Sequence, residues 1–172
     1  MTVASHGFPG NDTTVYHAKP DGLGIGEVIH RIGHTDIALE KLGDGVSFEN
    51  HTFQNSTEQN GVHLVGIRNL DDMKQYETIT MDNPFVGLTD GMFLTVSLDR
   101  VPETSPEKHV WVEHTWAWFG QDAKAIPVDG SCGSPVWDSD GRVIFFFRYM
   151  DDQGFGVGIA AQELINRGYT LV

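Results

Sequence analysis

The only cysteine in the chain, Cys132, stands in Asp129-Gly130-Ser131-Cys132-Gly133-Ser134-Pro135. A sulfur with glycine and other small residues around it can be approached closely by a carbonyl carbon. Glycine also lets backbone N–H groups turn toward a single oxygen, the arrangement that stabilises an oxyanion. A cysteine nucleophile needs in addition a base and a group that orients the base. Two upstream segments offer these. Thr2-Val3-Ala4-Ser5-His6-Gly7-Phe8 leads through small residues to a histidine at a strand end, and Asp36 directly precedes the apolar Ile37-Ala38-Leu39. Each residue also has a plainer reading: a lone cysteine is usually a small buried hydrophobe, a histidine is unremarkable in a chain with 8 of them, and an aspartate before a strand is usually a cap.

The elements that must carry these residues read as strands. Val28–Ile32, Ile37–Leu39, Val62–Ile67, Met92–Val96, Val110–Phe119 and Val143–Phe147 are short apolar stretches bounded by turn residues. In Val110–Phe119, Trp111, Glu113 and Thr115 alternate with Val112, His114 and Trp116, which gives the strand two unlike faces. Asp138-Ser139-Asp140-Gly141 reads as a hairpin turn. Met81–Phe85 reads as the start of a turn-rich segment, and residues 101–106 as a surface loop. Gly22-Leu23-Gly24-Ile25-Gly26 looks like a phosphate-binding loop, but strand-like residues follow it, so a flexible turn is expected there. Only Ala161–Arg167 reads as helix, stopped at Gly168. Many short strands and one terminal helix predict an all-β barrel or sandwich, with an internal boundary between residues 70 and 80.

Bulk properties narrow the function classes. The 172 residues, 40% hydrophobic and 20% charged, suit a globular chain with its own core. Eleven Lys and Arg against 24 Asp and Glu give a formal charge of −13, which argues against nucleic acid or an anionic membrane as partner. One cysteine permits no internal disulfide, and residues 1–6 carry no basic or apolar leader region. A cytoplasmic location is therefore expected. His17, His30 and His34 with nearby acids fit no established ligand spacing, so neither a metal nor a cofactor is expected.

The three segments, in the order His, Asp, nucleophile, resemble the chymotrypsin-like (trypsin-like) proteases, and most closely their disulfide-free branch. Thr2–Phe8 is similar to that family's Thr-Ala-x-His block, Thr35–Leu39 to its Asp-Ile-Ala-Leu block, and Gly130–Pro135 to its Gly-x-Ser-Gly-Ser-Pro block. Asn83-Pro84-Phe85, Val136–Ile144 and Gly154–Ala160 extend the likeness over nearly the whole chain. The resemblance implies an all-β, chymotrypsin-like double β-barrel with a short C-terminal helix. Residues 1–75 would form the first barrel, carrying His6 and Asp36, and residues 76–172 the second, carrying Cys132.

It further implies an endopeptidase of the serine/cysteine type acting on peptide or protein substrates. His6 would be the general base, Asp36 its orienting acid, and Cys132 the nucleophile of an acyl-enzyme, with the N–H groups of Gly130 and Cys132 as oxyanion hole. Cysteine stands where the family usually has serine. Ser131 is the rival by residue type, but the place two after Gly130 and one before Gly133 belongs to Cys132. The walls of the substrate pocket fall on Ile126 and Pro127 and on Phe147, Arg148 and Tyr149. Arg148 reads either as a pocket charge or as a solvated strand residue. Only five residues precede His6, where the family carries further strands, so an N-terminally shortened chain and an incomplete first barrel are expected. That shortening motivates the alternative of an inactive protease-like interaction module that keeps the fold.

Overall fold

The structure is a computed structural model and describes residues 1–17, 22–49, 51–54, 61–102, 109–120 and 130–170. The chain divides into two compact units, Met1–Asn50 and His51–Val172.

The first unit is a single antiparallel sheet of β1 (Thr2–Ala4), β2 (Thr14–His17), β3 (Leu23–Arg31) and β4 (Ile37–Leu42), in the order β1-β4-β3-β2. This is half a barrel. Val15, Val28 and Ala38 form its small core, with Val3, Phe8 and Ile25 packed against them. The glycine-rich stretch departs from expectation, because Leu23–Gly26 is not a turn but the first half of β3. The cause is long-range: a Cβ on Gly26 would collide with the backbone carbonyl oxygen of Lys41 and stand 3.1 Å from Leu42 Cα, so only glycine lets β3 pass β4 here. Glu40 is buried and its carboxylate oxygens have no hydrogen-bond partner. Burial raises its pKa, opposed by the positive charge of Met1.

The second unit contains β5 (Gly66–Ile67), β6 (Thr78–Asn83), β7 (Gly87–Pro102), β8 (His109–Phe119), β9 (Pro135–Trp137), β10 (Arg142–Met150), β11 (Phe155–Ala160) and the helix α1 (Gln162–Asn166). Its sheet runs β11-β8-β7-β6-β9-β10-β5, and β10 also pairs with β11. Six strands therefore close into a ring, with β5 added in parallel on β10. Ile79, Met81, Phe93, Ala117, Phe119, Val136, Ile144, Phe145 and Phe147 fill the ring. Each such large side chain contributes on the order of 2 kcal/mol on burial, which a chain without a disulfide depends on. Together the two units give the expected all-β, chymotrypsin-like architecture: an incomplete first barrel, a closed second one and a short terminal helix stopped at Gly168, which has φ 83°.

Residues 51–75, expected in the first barrel, group with the second unit. Gly66 and Ile67 pair with Arg142 and Val143, and the Arg68 N–H donates to Val143 O at 2.8 Å. Arg68 Nη1 lies 3.2 Å from Asp138 Oδ2. Met81–Asn83 also differs from expectation, being strand rather than turn. The turn begins only at Pro84, where Asn83 Oδ1 accepts from Phe85 N at 2.9 Å and Val86 N at 3.1 Å. The Asp138–Gly141 turn forms as read, with Gly141 at φ 76°. No helix among the described residues is long and apolar enough to cross a membrane.

Candidate active site

In the first unit, the pairing of β1 with β4 places Ala4 opposite Ile37. The residues just beyond, Ser5 and Asp36, therefore meet, and the Ser5 N–H donates to Asp36 O at 2.8 Å. Ser5–Gly7 then forms one 3-10 turn carrying His6. Asp36 grips this turn with both carboxylate oxygens: Oδ1 accepts from the His6 backbone N–H at 2.9 Å and Oδ2 meets His6 Nδ1 at 2.5 Å. The Asp36 side chain is 10% exposed and the His6 side chain 55%. Because a carboxylate only accepts, the neutral ring carries its proton on Nδ1, and Nε2 keeps a lone pair for use as a base.

Two features that the sequence reading missed hold this pair. Arg31, at the end of β3, donates through Nη1 to Ser5 O at 2.9 Å and Ser5 Oγ at 3.1 Å, and through Nη2 to Phe8 O at 2.6 Å. The guanidinium thus spans the turn that carries His6. Its only signal in the sequence is a cation at the end of a strand, five residues before Asp36. Thr35 fixes the other approach: its Oγ1 donates to Ile32 O at 2.9 Å and accepts from Ile37 N at 3.2 Å. His34 within this turn takes the left-handed conformation, φ 65°.

In the second unit, the loop from Gly130 to Ser134 is sewn to β10. The Gly133 N–H donates to Phe147 O at 2.7 Å, the Phe147 N–H to Ser134 O at 2.9 Å, and the Ser134 N–H to Ser131 O at 3.1 Å. Gly130 has φ 99°, which favours glycine, and a Cβ there would also lie 3.0 Å from the Phe85 ring and press on it. Ser131 is completely buried, whereas Cys132 is half-buried and its thiol donates to Arg148 O at 2.8 Å. Of the rival residues, the cysteine alone presents its reactive atom at the surface.

Among the expected pocket residues, Ile126 and Pro127 lie outside the described residues. Phe147 turns its ring into the barrel core, edge-on to Phe119 at 6.0 Å, so its backbone rather than its side chain serves the loop. Arg148 and Tyr149 are exposed, with the Arg148 guanidinium carbon 5.9 Å from the Tyr149 ring centre. Among the described residues no three His, Cys, Asp or Glu side chains are grouped to hold a metal ion.

This architecture is shared with chymotrypsin-like serine proteases of known structure. The active form of the Rv3671c protease from M. tuberculosis superposes with a TM-score of 0.62 at 14% identity, covering 96% of this chain and 66% of that one. The chain thus spans just under two thirds of that protease. A glutamic-acid-specific serine protease, which uses a histidine triad in substrate binding, gives a TM-score of 0.62 at 15% identity, covering 99% of this chain and 85% of its own. Cellulomonas bogoriensis chymotrypsin gives 0.62 at 14% identity, with 99% and 84% covered. No protein-family model and no curated protein sequence matches the chain. What these structures share with the chain is the chymotrypsin-like fold.

Proposed function

We propose that the protein is a peptidase in which Cys132 is the nucleophile, His6 the general base and Asp36 the acid that orients it. The observation that carries this reading is the two-point grip of Asp36 on His6, which fixes the ring and leaves Nε2 as the basic nitrogen. The fold, the glycine-flanked Cys132 and the serine proteases that share the architecture support it.

In the proposed reaction the Cys132 thiol passes its proton to His6 Nε2 as the sulfur adds to the scissile carbonyl carbon. The oxyanion that forms is met by backbone N–H groups of Gly130 and Cys132, each such donor contributing on the order of 3 kcal/mol. Collapse breaks the C–N bond, the imidazolium returns the proton to the departing amine, and a thioester remains. Water then gives a proton to His6 and its oxygen to the acyl carbon, releasing the acid and restoring the thiol. A thiolate is already nucleophilic beside an imidazolium, so Asp36 contributes less here than with serine.

Iodoacetamide labelling of Cys132 together with hydrolysis of a mixed peptide pool tests this. The expected result is labelling at least about tenfold faster than an ordinary exposed thiol, slowed to that level by His6→Ala. Hydrolysis is expected to vanish in Cys132→Ala and fall by about a hundredfold or more in His6→Ala. Labelling at the ordinary rate, indifferent to His6, with no hydrolysis, would instead identify an inactive protease-like interaction module.

A further inference from the structure

Arg148 occupies an irregular place in β10. The pairing of β10 with β11 slips between Phe147, opposite Gly158, and Tyr149, opposite Val157, so Arg148 is the extra residue of a bulge. A bulge interrupts the alternation of faces and re-aims a side chain. On the other edge of β10, β9 reaches only Phe146, opposite Pro135. Arg148 therefore lies just past the covered part of the strand, where the nucleophile loop begins. Its carbonyl oxygen is 2.8 Å from the Cys132 sulfur. Its guanidinium is exposed and stands over the Tyr149 ring, itself 46% exposed. An aromatic face under a guanidinium limits the conformations the long side chain must give up on binding an anion.

We propose that Arg148 is the residue by which the protein selects an acidic side chain in its substrate, close to the carbonyl that Cys132 attacks. This rests on the peptidase reading above. A guanidinium offers a carboxylate two parallel N–H donors, which a neutral side chain of the same shape uses less well. The chain's charge of −13 opposes acidic ligands at a distance, but screening confines that repulsion to about 8 Å at physiological salt. At contact range a single cation outweighs it.

Two measurements separate this proposal from the reading beneath it. Iodoacetate and iodoacetamide alkylate the same sulfur and differ by a carboxylate, so their rate ratio at Cys132 reports the anion preference without any peptide cleavage. That ratio is expected to fall about fivefold in Arg148→Gln, as one unit charge at close range predicts, and to be mostly retained in Arg148→Lys. In the second measurement, peptide pools with Glu or Gln fixed at a single position are offered to the native protein and to Arg148→Gln. The native protein is expected to cut the best Glu pool about tenfold faster than its Gln counterpart, and Arg148→Gln to lose that preference. An alkylation ratio unmoved by Arg148→Gln, or a Glu preference that survives it, overturns the proposal. A ratio that falls while neither pool is cut supports carboxylate recognition at Cys132 and removes the peptidase reading instead.

Discussion

Asp36 divides its carboxylate between the backbone and the ring of the same histidine, so the position of His6 and its tautomer are set by one residue. The ring itself is more than half exposed, and packing does little to hold it. Arg31 supplies much of what packing does not, through three contacts to oxygens of Ser5 and Phe8 on either side of His6. In the proposed mechanism Arg31 is a positioning residue, and its substitution should disturb catalysis without disturbing substrate binding. In Arg31→Leu, kcat is expected to drop about 10- to 100-fold with KM little changed, because a misplacement near 1 Å costs that much. The enhanced iodoacetamide rate of Cys132 should fall in parallel, and Arg31→Lys should recover part of both. A rise in KM with kcat intact would show instead that Arg31 serves only the substrate or the fold.

The loop from Gly130 to Ser134 owes its shape to the neighbouring elements, β10 through backbone hydrogen bonds and the β6–β7 turn through Phe85. Gly130→Ala would face two separate costs: a positive φ, on the order of 1 kcal/mol or more, and displacement of the Phe85 ring. Adding Phe85→Ala should relieve the second cost and leave the first. Thermal unfolding of the two single variants and the double variant is expected to show a favourable coupling of about 0.5–1 kcal/mol; strict additivity would mean that the ring simply moves aside. The same dependence on neighbours explains which elements the sequence made legible. β8, β10 and β11 are dense in aromatic and β-branched residues, so a local pattern identifies them. β2 and β6 mix Thr, His, Asp and Asn with few apolar residues, and the glycines of β3 signal a turn unless one knows that the β4 backbone at Lys41 and Leu42 lies against Gly26. The residues flanking His6 and Asp36 mark them as candidates. Arg31 carries no such mark, because the oxygens it binds reach it only when β1, β3 and β4 pair. Nor can the face of Phe147, beside a bulge, be read from alternation alone.

At the scale of the whole chain, a surplus of acid is combined with acids held partly or wholly out of water. Among the described residues, the buried Glu40 in the half-barrel and the half-buried Glu113 on β8 have pKa values raised first of all by burial. For Glu113 the negative charges of Glu163 and Asp71 push the same way, and its Oε2 is buried without a hydrogen-bond partner. Arg167 answers Glu163, the acid that also accepts the Glu113 backbone N–H at 2.8 Å, and so does little for the Glu113 carboxylate itself. A group whose pKa is higher in the folded state binds more protons there than in the unfolded chain. Stability from Glu113 is therefore greatest below its ordinary value of 4.5 and is lost as pH rises from there through the raised folded value. Glu113→Gln removes the ionisation while keeping the size and most of the hydrogen-bonding capacity of the side chain. Its melting temperature should match that of the native protein near pH 4 and exceed it at pH 7. A parallel scan of Glu40→Gln should show the same sign of pH dependence in the first unit, reduced to the extent that the Met1 charge already compensates Glu40. A lower melting temperature for Glu113→Gln at pH 7 would mean that the carboxylate is stabilised by a partner rather than strained by its burial.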